Sequence, residues 1–447
     1  MEKRATTPVR YVGMDIPKEI VVSCIVDEQG KVVQRQRGKC TRAELERFAQ
    51  RSLQPSDRVA VEATTNTWEV VGILKPFVAE VVVSNPLKTK AIAEAKIKTD
   101  KVDAEVLAQL LRCDFLPRVW EPPAATQSLR RLTTRRAALV MDTTAIKNRV
   151  HAVLHQRLIP CPFPDLFSVQ GRQWLRTLSV DTEGRASIES DLRLLESVEA
   201  EVAQQEHELA KATYTEPQVK LLMTLPGVGV TVAQTLWAVL GEVERFRDAD
   251  HAASYLGLVP STQQSGKHCY HGPITKQGHR QARSVLVQAA HHVCTHPGPL
   301  GAFFRRVAKR RGYNVAVVAT ARKLVVIAWH MLKANEPYRY AQPQTVETKL
   351  ERLRLTATGE KRPRSSTKGI PRPAAYGSGQ RVQRVRSLAQ VCDRVALPPP
   401  LTVDEFPAGE VRMLEQTGTL AFVQTIQHEQ VKIRRVKKER TLSESRC

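Results

Sequence analysis

Four acidic residues in the first quarter of the chain have the types and spacing for metal-assisted phosphate chemistry: Asp15, Glu62, Asp100 and Asp103. Asp15 closes the apolar run Tyr11-Val12-Gly13-Met14, and Glu62 closes Arg58-Val59-Ala60-Val61. Both runs read as short buried strands. Asp100 and Asp103 are three apart in Lys98-Thr99-Asp100-Lys101-Val102-Asp103-Ala104, a spacing that sets both on one face of a helix. With the two strands side by side in a sheet, the carboxylates converge at one edge. Such a cluster cannot stay fully ionised without cations, and hard oxygen donors select Mg²⁺, with Mn²⁺ possible. Two such ions about 4 Å apart stabilise the attacking and leaving oxygens of phosphoryl transfer. Taken singly, each acid has a plainer explanation, as a helix-dipole partner or a turn residue. The conjunction in this chain order, beside a strongly basic region, favours the metal.

A second constellation surrounds Ser265, in Pro260-Ser261-Thr262-Gln263-Gln264-Ser265-Gly266-Lys267, followed by Ile274-Thr275-Lys276-Gln277-Gly278-His279-Arg280 and Arg283. A serine in a Ser-Gly turn can stand exposed beside a phosphate, and Lys267, Lys276, Arg280 and Arg283 could hold that phosphate and its transition-state charge. Ser-Gly is also a common turn, and spacing alone leaves Ser261 as plausible as Ser265.

Three further features suggest contact with nucleic acid. Residues 126–158 read as one long helix. Leu129, Leu132, Leu139, Ile146, Val150 and Val153 carry the apolar spacing, and Arg130, Arg131, Arg135, Arg136, Lys147 and Arg149 crowd the other positions. A charge run is usually a solvated face, but Asp142 is the one acid here, so phosphate contact is at least as good an explanation. Leu225-Pro226-Gly227-Val228-Gly229 opens a helix-hairpin-helix pattern, whose Gly227 and Gly229 would let backbone N–H groups approach a phosphate at a helix N-terminus. Between Asp250 and Glu336 no acidic residue occurs, while twelve Lys/Arg and eight of the twelve histidines do. Those histidines (His268, His271, His279, His291, His292 and His296 among them) have no matching cysteine pattern, so zinc is not supported.

The elements that must position these groups follow from pattern. Two or three strands across 10–36, a helix 41–51 with a Thr41/Glu44 capping box, a strand 58–62, a helix 68–77, a strand 79–84 and helices across 86–112 make a mixed α/β sheet in RNase H-like order. A second long helix, 186–211, has Leu195, Val198, Val202 and Leu209 in a short heptad seam and would pair with the first as an antiparallel arm or oligomerisation coil. The expected organisation is an α/β metal domain over 8–125, a helical coiled-coil arm over 126–218, a mainly α serine-bearing domain with the helix-hairpin-helix element over 219–340, and a basic tail over 341–447. In that tail, residues 359–387 are Gly, Pro, Arg and Ser-rich and read as disordered.

Bulk composition agrees. The 447 residues carry 68 Lys+Arg against 45 Asp+Glu, a net charge of +23, which draws the chain to polyanions, chiefly nucleic acid. The longest apolar candidate for a membrane span, Val315–Leu332, is interrupted by Arg322, Lys323 and His330, so no membrane association is expected. Met1–Arg10 has no apolar signal core, which predicts a cytoplasmic protein. The eight scattered cysteines form no CxxC pair and read as free, buried thiols.

With these residues assembled, the sequence from about 10 to 340 resembles the bridge-RNA-guided insertion-sequence transposases that share a DEDD RuvC-like domain with Piv-type DNA invertases. The resemblance rests on an ordered set: Gly-Met-Asp at Asp15, Val-Glu-Ala at Glu62, Lys-Thr-Asp-Lys-Val-Asp-Ala at Asp100 and Asp103, Lys147-Asn148-Arg149, Leu-Pro-Gly-Val-Gly, Tyr-Leu-Gly-Leu-Val-Pro, Gln-Ser-Gly at Ser265, Ile-Thr-Lys-Gln-Gly and Arg283. It implies that the four carboxylates bind Mg²⁺ and that Ser265, not Ser261, attacks a DNA phosphodiester to give a phosphoserine link. It further implies an active site composed across subunits of a homodimer or homotetramer, and a structured guide RNA pairing with donor and target DNA. The family pattern ends near residue 340, so it says nothing about the last hundred residues.

Three other functions compete on the residues alone. A RuvC-like structure-specific endonuclease would use the same acids without a covalent serine step. An actin- or sugar-kinase-type ATPase would need glycine-rich phosphate turns after its strands, and Gly13 and Gly72 do not make one. A non-catalytic nucleic-acid-binding protein would need only the charge.

Overall fold

The computed structural model describes residues 8–92, 99–360 and 380–435, in two compact units that divide between Pro122 and Pro123. The first unit is α/β. Its strands are β1 (Tyr11–Asp15), β2 (Ile20–Val26), β3 (Val32–Lys39), β4 (Arg58–Glu62) and β5 (Glu80–Ser84), and its helices are α1 (Arg42–Ser52), α2 (Thr67–Leu74), α3 (Pro86–Ile92) and α4 (Asp100–Arg112). The sheet order is β3-β2-β1-β4-β5. Strand β2 runs antiparallel to its neighbours β1 and β3, while β1, β4 and β5 run parallel. This is the mixed α/β sheet expected from the sequence. The register pairs Val12 with Val59 and Met14 with Val61, so the next residues, Asp15 and Glu62, leave the sheet at the same end of adjacent strands.

Both faces of the sheet are covered. Val12, Met14, Val59 and Val61 pack with Leu45, Val70 and Leu74 of α1 and α2 on one side. On the other, Ala104 and Ala108 of α4 meet Val22, Cys24 and Val26, and Leu107 and Leu111 meet Ala60 and Val82. The close packing of α4 requires Gly13, because a Cβ built there would overlap the Ala104 carbonyl oxygen. The direction of α4 is fixed at its far end. Gln109 Nε2 donates to the Gly30 carbonyl at 2.6 Å in the β2–β3 turn, beside the start of β1. The helix therefore runs against β1 and begins at the edge where Asp15 and Glu62 emerge. Thr41 caps α1 by accepting from the Glu44 N–H at 3.4 Å. The Glu44 carboxylate pairs with Arg47 instead of completing the expected box.

The second unit is mainly helical. It contains α5 (Ala124–Gln156), α6 (Val169–Thr177), α7 (Thr182–Thr213), α8 (Pro217–Leu222), α9 (Val230–Leu240), α10 (Ala249–Tyr255), a hairpin of β6 (Pro260–Ser265) and β7 (His268–Ile274), α11 (Arg280–Val293), α12 (Pro299–Arg311), α13 (Tyr313–Ala334), α14 (Pro343–Thr358), β8 (Gln380–Val385), α15 (Leu388–Arg394), α16 (Ala408–Gln416), α17 (Leu420–Gln427) and β9 (Gln430–Arg435). Helices α5 and α7 are the two long helices expected. They lie antiparallel, clipped by Arg157–Asp181, Arg149–Asp191 and Arg136–Glu206, around Ile146, Val150, Leu154, Ile188, Leu192 and Leu195. The arm is continuous with the rest of its unit, since Leu209 and Ala210 at the end of α7 are fully buried and Ala210 belongs to the main core.

Two sequence expectations change here. The segment after 340, expected to be partly disordered with a small helical element around 408–440, carries four helices where it is described. Val346, Leu350 and Leu353 of α14, Leu388 and Val391 of α15, Leu414 of α16 and Val423 of α17 all enter the main core. Residues 361–379, the bulk of the stretch read as disordered, lie outside the described residues. The described cysteines are free as expected but not uniformly buried: Cys113, Cys161 and Cys269 are exposed. One helix, α13, is long and apolar enough to cross a membrane by length and composition, yet half of that window is buried inside the unit, through Ala316, Val317, Ala321, Leu324, Val325, Ala328 and Trp329. It is the central core helix of this unit.

Candidate active-site residues

Asp15 and Glu62 are half-buried at the ends of β1 and β4. Asp100 and Asp103 occupy the first turn of α4, which Thr99 caps by accepting from the Val102 N–H at 3.4 Å. Asp100 and Asp103 continue the helical stripe of Ala104, Leu107, Ala108 and Leu111 (i, i+3, i+4, i+7, i+8 and i+11), with Asp100 exposed and Asp103 half-buried. The stripe is apolar where it covers the sheet and acidic where it passes the edge. Asp15 and Glu62 stand at one end of adjacent strands, and Asp100 and Asp103 open the helix packed on that sheet. Among the described residues, no three His, Cys, Asp or Glu side chains stand close enough to hold a metal ion. Residues 93–98, which run directly into the first turn of α4, are outside the described set.

Ser265 is the last residue of β6, at the tip of an exposed hairpin. A two-residue turn, Gly266-Lys267, joins it to His268, its direct cross-strand partner. Gly266 supplies the positive φ (+57°) that such a turn demands. The two candidate serines differ in what their hydroxyls do. Ser261 Oγ donates to the Pro273 carbonyl at 3.3 Å, and a Cβ at Gly272 would crowd it. Thr262 Oγ1 shares a 3.0 Å hydrogen bond with His271 Nδ1. Ser265 is exposed, and its hydroxyl has no hydrogen bond among the described residues.

The basic residues singled out by sequence divide into two sets. Arg131, Arg135, Lys267, Lys276 and Arg280 are exposed and make no ion pair among the described residues. The others hold the unit together. Arg130 donates to the Ala238 and Val239 carbonyls at 2.8 and 2.9 Å, closing the C-terminal end of α9. Arg283 donates to the Leu256 carbonyl at 3.0 Å. Arg149 pairs with Asp191 at 2.7 Å. Lys147 lies 3.8 Å from Glu199 and over the Phe167 ring. The basic face of α5 is therefore in large part an intramolecular seam with α7 and α9.

The glycine pair divides in the same way. Gly227 (φ +76°) lets the loop touch α11, because a Cβ there would overlap the Ala289 carbonyl oxygen. Gly229 caps α9, has open space around it and leaves that helix without a side-chain cap. From the neighbouring α14, Lys349 Nζ reaches into the same loop and donates to Met223 and Leu225 carbonyls at 3.0 and 2.7 Å. Burial pulls its pKa down to about 8. His279, at the start of α11, is held below its ordinary value by burial, then by the Arg130 and Arg283 charges. Sequence reasoning passed over Tyr270, which is 69% exposed on the hairpin beside Lys267 and is an aromatic available for base stacking. Its signal was an aromatic inside an acid-free basic turn.

Two family models match this chain, one over each of these regions. Residues 12–159, the strand-end acids and the first arm helix included, match the DEDD-type transposase domain of IS110 elements. Residues 219–305, which carry the hairpin, match the transposase model of the IS116/IS110/IS902 family. The chain belongs to this IS110/IS116/IS902 family of mobile-element transposases. It is 25% identical over 347 residues to the transposase for insertion sequence element IS1111A of Coxiella burnetii, spanning 75% of this chain and 93% of that protein. It is 25% identical over 342 residues to a probable family 20 transposase of Pseudomonas aeruginosa, spanning 73% and 98%. It is also 26% identical over 289 residues to the pilin gene-inverting protein of Moraxella lacunata, spanning 62% and 80%.

Proposed function

We propose that this transposase cuts and rejoins DNA strands through Ser265, with Asp15, Glu62, Asp100 and Asp103 as its divalent-metal residues. The observation that carries the reading is the pairing of β1 with β4, which sets Asp15 beside Glu62 at the end of the sheet where α4 begins with Asp100 and Asp103 in its first turn. Mg²⁺ or Mn²⁺ bound there would supply charge stabilisation to the oxygens entering and leaving phosphorus. Ser265 Oγ is the nucleophile: exposed, at a turn where backbone crowding is least, and not committed to the hairpin's own hydrogen bonds. Lys267, Lys276 and Arg280 hold the strand and offset charge on the phosphoryl oxygens. Arg131 and Arg135 contact phosphates. Arg130, Lys147, Arg149, Gly227 and Arg283 act by positioning these elements. A structured guide RNA and a homodimer or homotetramer complete the reading, and both rest on the family resemblance.

The test is adduct trapping. The protein is purified with RNA transcribed from the DNA flanking its gene, mixed with the element's ends, target DNA and Mg²⁺, and resolved under denaturing conditions. A protein–DNA adduct in the wild type, absent in Ser265→Ala and in Asp15→Ala, supports the proposal. Cleavage without adduct, lost in Asp15→Ala alone, makes the chain a RuvC-like endonuclease.

A further inference from the structure

The hairpin that bears Ser265 holds one group able to take the serine proton. Ser265 and His268 are directly opposed across the β6–β7 ladder, the last pair before the turn. Directly opposed residues have Cβ atoms about 5 Å apart on the same face, a separation that rotation of the imidazole about its side-chain bonds can close to a hydrogen bond with the hydroxyl. The alternation of the strands puts Ser261, Gln263, Ser265, His268 and Tyr270 on this face. Cys269 and His271 belong to the other face, where His271 is held by Thr262 at 3.0 Å and by the Cys269 sulfur at 3.7 Å.

No Asp or Glu occurs between Asp250 and Glu336, so no carboxylate on this hairpin can act as base. Lys267 is a cation by type, and a phenol such as Tyr270 is a proton donor near neutrality. His268 is the remaining group on the face of Ser265, and imidazole is the side chain suited to take and return a proton near neutral pH.

Resting on the nucleophile reading above, we infer that His268 is the general base of the serine step, through its cross-strand placement opposite Ser265. The Ser265 hydroxyl proton passes to an imidazole nitrogen as the Oγ–P bond forms. The bond from phosphorus to the leaving strand's oxygen breaks, and that oxygen takes a proton from water. On rejoining, the incoming DNA hydroxyl loses its proton to water, the new O–P bond forms, and Oγ leaves phosphorus with the proton held by the imidazolium.

The experiment reads the serine without needing DNA. The full chain is treated with a fluorophosphonate, and the labelling rate at Ser265 is followed by peptide mass spectrometry from pH 5.5 to 9. The wild type is expected to label at Ser265 with a rate rising through the imidazole range. His268→Gln is expected to label at least about 10²-fold more slowly, in line with the usual contribution of a general base, and to lose that inflection. His268→Ala should recover rate with added imidazole. His268→Gln labelling at the wild-type rate and with the wild-type pH profile would overturn the inference and leave the nucleophile intact. Wild-type Ser265 labelling no faster than Ser261 would also overturn it, and adduct trapping with Ser265→Ala decides the nucleophile separately.

Discussion

The two compact units hold their candidate chemistry in opposite ways. In the first, Asp15 and Glu62 end adjacent strands and Asp100 and Asp103 open the helix packed on them, on elements that cannot move apart without exposing core: Met14 and Val61 are fully buried one residue before Asp15 and Glu62. In the second, a serine stands at the tip of a hairpin whose residues from Ser261 to His271 are all exposed. Carboxylates need a rigid frame, because mutual repulsion otherwise separates them. A nucleophile that must meet a long, stiff substrate gains from standing clear of the surface. Acids thus sit where the frame is rigid, and the serine sits in a stretch without any acid to repel phosphate.

If rigidity is what the first unit supplies, removing its closest approach should hurt most. Gly13→Ala forces a methyl group into the Ala104 carbonyl and pushes α4 off the sheet, taking Asp100 and Asp103 with it. The expected cost is about 3 kcal/mol or more in urea unfolding of the full chain, together with loss of cleavage. Wild-type stability with full cleavage would show that α4 does not depend on this contact. Gly227→Ala is the counterpart in the second unit and should cost a similar amount through Ala289, whereas Gly229→Ala, with open space around it, should change stability by about 1 kcal/mol or less.

These glycines also show what was legible in sequence. The strand ends carrying Asp15 and Glu62, the long helices and the Ser-Gly turn were readable because each is set by local period and local turn chemistry. The role of Gly227 was not, because its partner, Ala289, lies on a helix that sequence cannot dock. The same distance hid Arg130 and Arg149, whose partners Ala238 and Asp191 are far along the chain. The folded state of α14 was readable and was passed over: Val346, Leu350, Leu353 and Ala357 recur at steps of four, three and four, but the surrounding charge and proline masked the stripe.

A buried titratable group sharpens the comparison at the level of pH. His296, at the α11–α12 junction, accepts from the Gly298 N–H at 3.1 Å and packs edge-on to Phe422 of α17. Burial, then the charges of Lys349 and Arg305, hold its pKa down to about 4. A depressed imidazole means the unfolded chain binds the proton first as pH falls. The stabilisation is therefore complete above the ordinary histidine value near 6.5 and is lost as pH drops towards 4. Between pH 7 and 4.5 the wild type should lose on the order of 2 kcal/mol more stability than His296→Gln. Equal losses would mean the histidine is hydrated on acidification.

A smaller effect separates the two serines. Ser261→Ala removes one hairpin hydrogen bond and should cost about 1 kcal/mol or less, with adduct formation retained. Ser265→Ala should leave stability unchanged within about 0.5 kcal/mol and abolish the adduct. The reverse pattern would transfer the nucleophile to Ser261.

The smallest expected effect tests the division of the arginines. Exposed Arg131 and Arg135 are free to release counterions from a bound duplex, so each alanine substitution should reduce the slope of log affinity against log salt by about 0.9 on B-form DNA. Arg149 is paired with Asp191 across the arm. Its removal leaves a largely buried carboxylate without its cation, so Arg149→Ala should lower stability while leaving the salt slope as it was. The two readouts are independent, fluorescence anisotropy at several salt concentrations for one and urea unfolding for the other. A slope change in Arg149→Ala would put the α5–α7 seam among the surfaces that open towards nucleic acid.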